Sequence, residues 1–165
     1  MILHLGVYDI PYAHVPKEYR ANQTKHSGGT ETTGDVANDL ERRYHIMESF
    51  FDFKKQKIAV MIEKSAAGAL ENILMGAPIT ANSLQQATAD ISTEFKQFLS
   101  TQEVESIGLR GVPTRAALEG VNHRFKNPFG KYVGKGKNKT FVKNPRRPSF
   151  IDTGLYQATM TVWAD

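Results

Sequence analysis

Apolar residues between Val36 and Ile73 recur three and four positions apart, and this constrains the chain more than any other feature. Val36, Leu40, Tyr44, Met47 and Phe51 form the first run. Ile58, Met61/Ile62, Ala66, Ala69 and Ile73 continue it in nearly the same phase. That spacing places them on one helical face. Thr33 or Asp35 is a suitable cap, and Gly76 followed by Pro78 is the order expected at a helix C-terminus. One helix over residues 36–75 would run roughly 60 Å. The stripe accommodates one helix or two. The length favours a break near residues 52–55, because a single rod would outgrow a compact domain. A further helix is expected over residues 83–99, with Leu84, Ala87, Ile91, Phe95 and Phe98 on one face and Asn82 or Ser83 as its cap. These stripes are read as the core, the alternative being that one face packs against a neighbouring subunit. The small run Ala66-Ala67-Gly68-Ala69 would admit a close neighbour.

Around this helical middle the pattern changes. Met1 to Tyr8, with apolar Ile2, Leu3, Leu5, Val7 and Tyr8, reads as a short strand, which Pro11 and Pro16 end. Residues 11–34 read as a long loop, and one of that length is either mobile or pinned by a partner. Pro113-Thr-Arg-Ala-Ala-Leu118 is a turn into a short helix with proline near its first position. Residues 130–140 read as a mobile loop or hairpin tip. Ala158, Met160, Val162 and Ala164 alternate with Thr159, Thr161 and Trp163, which is strand periodicity. The 165 residues suffice for one domain with a core of its own. The fold class expected is α+β: two or three helices packed on a small, mostly antiparallel sheet, with long extended loops.

Several function classes are excluded or disfavoured. The chain has no cysteine, so thiol nucleophiles, cysteine-ligated zinc and disulfide scaffolds are ruled out. The N-terminus reads as neither a signal peptide nor a membrane span. His4, His14, His26, His45 and His123 show no metal-binding spacing. Gly130-Lys-Tyr-Val-Gly134-Lys-Gly136-Lys137 lacks the spacing of a phosphate loop, and no nucleophile elbow is present. Scattered acids such as Glu41, Glu48, Glu63 and Glu71 read as solvated helix faces. No enzyme activity, cofactor or metal is expected.

The net charge of +4 is unevenly distributed. Residues 1–121 hold twelve Lys/Arg and fifteen Asp/Glu. Residues 122–148 hold nine basic residues and no acid: Arg124, Lys126, Lys131, Lys135, Lys137, Lys139, Lys143, Arg146 and Arg147. Residues 149–165 add two acids and no base. A block of one sign is an interaction arm or a solvated segment. With Phe and Tyr interleaved among the bases, it suits phosphate contact and base stacking, or contact with an acidic protein surface.

Arg147-Pro-Ser-Phe-Ile-Asp-Thr-Gly-Leu-Tyr156 and the strand after it, together with Ile107-Gly-Leu-Arg-Gly-Val-Pro-Thr-Arg-Ala-Ala-Leu118, resemble the neck and tail-completion proteins of tailed bacteriophages. The Leu3-x-Leu-Gly-Val7 strand and Asp35-Val-Ala-Asn-Asp-Leu40 fit the same layout. Asp152-Thr153-Gly154 also occurs in aspartic proteases, but one copy would need a homodimer to pair its carboxylates. The resemblance implies a structural virion protein assembled in the host cytoplasm. It would form a homo-oligomeric ring that joins the portal/connector to the tail and surrounds the DNA channel. The partners implied are neighbouring connector and tail proteins, with non-specific proximity to genomic DNA and no membrane. Ile151, Asp152, Thr153, Gly154, Leu155 and Tyr156 would lie at inter-subunit or partner contacts. The basic residues would face DNA or an acidic partner. The alternative is a non-specific nucleic-acid-binding module using residues 122–148, and a small nuclease or protease ranks below both.

Overall fold

A computed structural model describes residues 2–11, 32–78, 84–122, 127–135, 138–151 and 154–165. The elements in chain order are β1 (Leu3–Val7), α1 (Thr33–Tyr44), α2 (Ile46–Leu74), α3 (Gln85–Ser100), α4 (Glu103–Ser106), α5 (Arg115–Leu118), β2 (Gly130–Val133), β3 (Thr140–Lys143), α6 (Leu155–Thr159) and β4 (Met160–Ala164). The fold is α+β, with two small antiparallel sheets, β1 with β4 and β2 with β3. No helix among the described residues is long and apolar enough to cross a membrane.

The long helical stretch is broken, but at His45 and not at residues 52–55. Thr32 and Asp35 form a reciprocal capping box at the start of α1. The Asp35 amide donates to Thr32 Oγ1 at 3.2 Å, and the Thr32 amide donates to Asp35 Oδ2 at 3.1 Å. The cap is therefore Thr32, one residue before the earliest position expected. Thr33 is fully buried instead. Its hydroxyl donates to the Tyr8 carbonyl at 2.6 Å and accepts from the Ile10 amide at 2.8 Å, fastening α1 to the end of β1. At the far end His45 adopts a left-handed conformation, φ 50° and ψ 48°, ending α1 and starting α2. Glu41 reaches across the corner. Its carboxylate accepts from the Met47 and Glu48 amides at 2.8 and 3.1 Å, satisfying two of the open donors of α2.

This corner changes the phase of the apolar stripe. Phe50, fully buried, takes the core position expected of Phe51, which is exposed. Beyond the corner α2 continues unbroken for 29 residues, roughly 43 Å at 1.5 Å per residue.

The core lies where the proximal part of α2 crosses α3 and both meet the terminal strands. Phe50 sits edge-on to Phe95 and Phe98, with ring centroids 5.0 and 5.4 Å apart. Ile46, Ile58, Ile91, Leu99, Val104, Met160 and Val162 complete the cluster. Every position expected on the inner face of α3 packs as expected: Ala87, Ile91, Phe95 and Phe98 are buried and Leu84 is half-buried. Burying a large apolar side chain contributes roughly 1.5–3 kcal/mol, so Ile91, Phe95 and Phe98 together with Phe50 form the centre of stability. The proposed caps Asn82 and Ser83 lie outside the described residues.

β4 is a five-residue strand, because residues 155–159 form α6 and do not extend it. It pairs antiparallel with β1 of the same chain, Leu3 opposite Ala164, Leu5 opposite Val162 and Val7 opposite Met160. Leu3, Leu5 and Val7 turn toward the core. On the outer face His4 stacks on Trp163 with centroids 5.2 Å apart. Gly6 makes room for the Trp163 ring, since a Cβ there would lie 3.0 Å from it. Of the long loop expected at residues 11–34, Pro11 and Thr32 bridge its two ends and residues 33–34 belong to α1. Residues 12–31 lie outside the described set.

Candidate interaction surface

The basic segment divides into a projecting hairpin and an anchored strap. In the hairpin, Gly130 pairs with Lys143, Lys131 with Val142, Tyr132 with Phe141 and Val133 with Thr140. Directly opposed residues share a face. Tyr132 and Phe141 therefore stand together, ring centroids 5.1 Å apart and edge-on. The other face carries Lys131, Val133, Thr140 and Val142. Every residue of these strands except Gly130 is exposed. Gly130 is needed at φ 147°, where a Cβ would collide with the Val142 carbonyl of the opposing strand. At the base, the Asn122 amide and the Asn144 side-chain amide both donate to the Pro128 carbonyl, at 2.9 and 2.8 Å. A cleft of about 240 Å³ opens beside it, lined by Pro128, Phe129, Lys131, Tyr132 and Phe141 among others. Lys131, Lys135, Lys139 and Lys143 are exposed and make no ion pair with any described residue.

The strap is held by the chain itself. Arg146 pairs with Glu105. The Arg147 guanidinium donates to the carbonyls of Val121, Pro148 and Ile151, the last two at 3.2 and 2.7 Å, and its backbone amide donates to Ala117 at 3.1 Å. Ser149 is fully buried. Its hydroxyl donates to Glu105 Oε1 at 2.8 Å and accepts from the Thr114 amide at 3.1 Å. Phe150 takes φ 65° and sets its ring edge-on to Tyr44, 5.0 Å between centroids. These two arginines, grouped by sequence with the partner-facing bases, are thus engaged by the chain itself, Arg147 half-buried and Arg146 at the surface. Arg124, Lys126 and Lys137 lie outside the described residues.

The residues expected at subunit contacts are placed similarly. Ile151 is half-buried against the core and Leu155 is half-buried. Gly154 starts α6 at φ 79°, a left-handed position that suits glycine. Tyr156 is buried in the chain's own core, its ring 6.3 Å from that of Phe95. Tyr156 therefore makes an intramolecular contact, carried on α6 against the Phe95 ring of α3. Asp152 and Thr153 lie outside the described residues.

Two charged clusters escaped the sequence reading. Lys54, Lys57, Glu94 and Glu103 meet between α2, α3 and α4. Lys54 Nζ lies 3.0 Å from Glu94 Oε1 and also pairs with Glu103, and Lys57 Nζ lies 2.5 Å from Glu94 Oε2. Burial alone would raise the Glu94 carboxyl, but hydrogen bonds and charge from Lys57 and Lys54 outweigh it and hold Glu94 below its ordinary value. Burial alone would lower the Lys54 ammonium, and Glu103 and Glu94 reverse this to hold it above its ordinary value. The signal was available: Glu94 falls on the buried face of α3 at the spacing of Ile91, Phe95 and Phe98.

The second cluster is Glu41, His45 and Glu48, whose ligand-type atoms lie within 4.8 Å of one another. Its groups already have structural partners. Glu41 caps α2, and His45 Nδ1 lies 3.0 Å from Glu48 Oε2.

No family model, curated protein or solved structure matches the chain. The described residues present three distinct surface features. They comprise an exposed basic hairpin with an aromatic face, a strap that fixes its base, and an apolar stretch of α2 that the core does not use.

Proposed function

We propose that this chain is a structural component of the neck of a tailed bacteriophage, not an enzyme. It forms a homo-oligomeric ring that joins the portal/connector to the tail and surrounds the DNA channel, assembled in the host cytoplasm into the virion. The observation that carries this reading is the contrast between hairpin and strap. The strap residues of the phage-like motif make dense internal hydrogen bonds, and they hold out a hairpin whose Lys131, Lys135 and Lys139 make no ion pair with any described residue, while Lys143 at its base lies near enough to Glu119 to help lower that carboxyl. A projecting element with unneutralised cations suits the wall of a channel for a polyanion, or the acidic face of an adjoining ring.

The test is composition and position in particles. Mass spectrometry of purified virions should find the chain at a fixed copy number, and imaging of particles with a tagged copy should place density at the neck. A chain absent from virions refutes the reading.

A second reading is a non-specific nucleic-acid-binding module. Tyr132 and Phe141 on the same face of the hairpin as Lys143 favour it, because aromatic rings next to cations bind single strands by stacking and charge. It requires tight binding by the isolated chain, which a ring component does not.

A further inference from the structure

From Ala59 to Pro78 no residue is buried, although this stretch carries Val60, Leu70, Ile73, Leu74 and Met75, all exposed. Val60, Glu63, Ala67, Leu70 and Leu74 are spaced by three, four, three and four, so they line one side of α2, where Glu63 interrupts the apolar run and Ala67, Leu70 and Leu74 continue it to the end. That side lies opposite Ile58, Met61 and Ile62, which face the core. The helix thus runs past the body and leaves its apolar end uncovered by the described chain. Leu74 and Met75, at the very end, are the most exposed large apolar side chains among the described residues, at 79% and 81%.

The hairpin cleft is the complementary feature. Pro128, Phe129, Tyr132 and Phe141 give it apolar walls, its volume of about 240 Å³ admits a large aliphatic side chain, and Lys131 stands at its rim. The last turn of α2 has no basic residue and contains Glu71. The carbonyls of Glu71, Asn72 and Ile73 already accept from the amides of Met75, Ala77 and Gly76, so the negative character of this end comes from Glu71 and from the residual helix dipole. One surface is therefore an apolar tip with negative character, and the other an apolar cleft with positive character.

We propose that the end of α2, residues 70–75, seats in the hairpin cleft of a second copy of this chain, joining copies head to tail. A closed ring needs two unlike patches that meet around the axis. This contact supplies both, and it leaves Lys135 and Lys139 at the hairpin tip uncovered. The inference deepens the ring reading above and rests on it for closure.

The full-length chain and two exposed-site variants test it: Leu74→Asp on the tip and Tyr132→Asp in the cleft, each confirmed folded by circular dichroism. Sedimentation velocity across a concentration series should show the wild type associating and each variant monomeric. An equimolar mixture of the two variants keeps one intact tip and one intact cleft. It should form a heterodimer that grows no further. The chain has no cysteine, so oxidising Leu74→Cys mixed with Tyr132→Cys traps even a weak contact as one intermolecular disulfide. The proposal is overturned if neither sedimentation nor trapping shows association. It is equally overturned if the tip variant alone loses association, which would mean that α2 packs on α2, or if the mixture stays monomeric. Association intact in a chain that is missing from virions overturns the neck reading and leaves this contact standing.

Discussion

Glu105 and Ser149 are joined twice: the Ser149 hydroxyl donates to Glu105 Oε1 at 2.8 Å and the Ser149 amide at 3.1 Å. Forty-four residues apart in sequence, they clamp the C-terminal strap onto α4, and Arg146 completes the pairing on the other carboxylate oxygen. Glu105→Ala would leave the buried Ser149 hydroxyl and the Ser149 amide without their acceptor and remove the Arg146 ion pair. A loss of ~2 kcal/mol is expected, since hydrogen bonds to charged groups are worth more than neutral ones. For a domain of this size that lowers the melting temperature by roughly 4–8 °C. Thermal unfolding followed by circular dichroism reads this directly, and an unchanged midpoint would show that the clamp is incidental.

Arg147 is expected to be irreplaceable by lysine. Its guanidinium reaches three carbonyls in different directions, a fork that a single ammonium cannot reproduce. Arg147→Lys keeps the charge yet should cost about 1–2 kcal/mol, read as a lower urea midpoint with an unchanged slope. Equal stability of the two proteins would mean that charge alone fixes the strap.

The Glu94 cluster gives stability a pH signature. The folded carboxyl is held below its ordinary value, so between the ordinary and the folded pKa the unfolded chain binds more protons. The contribution is therefore complete above the ordinary carboxylate range and lost as pH falls through the folded pKa. Lys54 acts in the opposite direction. Held above its ordinary value, it contributes fully below that value and loses its contribution as pH rises through the folded pKa. Glu94→Gln should flatten the acid limb of denaturant midpoint against pH. A variant whose acid limb matches the wild type would place the acid sensitivity elsewhere.

If the hairpin meets DNA, its affinity is a count of phosphates. Replacing Lys131, Lys135, Lys139 and Lys143 with Ala in the assembled protein should reduce the slope of log affinity against log salt by about one unit for each phosphate contact removed, equally for unrelated duplex sequences. Arg146→Ala should leave that slope unchanged, because Arg146 is paired with Glu105. A salt dependence indifferent to the four lysines would assign them to an acidic protein neighbour.

The inner face of α3 was legible in advance because Ala87, Ile91, Phe95 and Phe98 obey a local period that needs no knowledge of the rest of the chain. The charge segregation was legible for the same reason, as was the short terminal strand. The corner at His45 was not. No glycine or proline marks it, and the group that makes it tolerable is the Glu41 carboxylate, which caps the next helix only once the chain has turned. With the corner misplaced, the core position fell to Phe51 and not Phe50.

The strap was legible as a motif but not as a mechanism. Nothing local in Arg147-Pro-Ser149 says that the arginine will tie three carbonyls and the serine a glutamate in α4. The sequence alone determined the α+β class, the inner face of α3 and the location of the positive charge, because periodicity and composition are properties of neighbours along the chain. Only the tertiary structure decided which bases are free and which are fastened, and which half of α2 the core uses. Those outcomes depend on contacts between residues tens of positions apart, and contacts at that range leave no periodic trace in sequence.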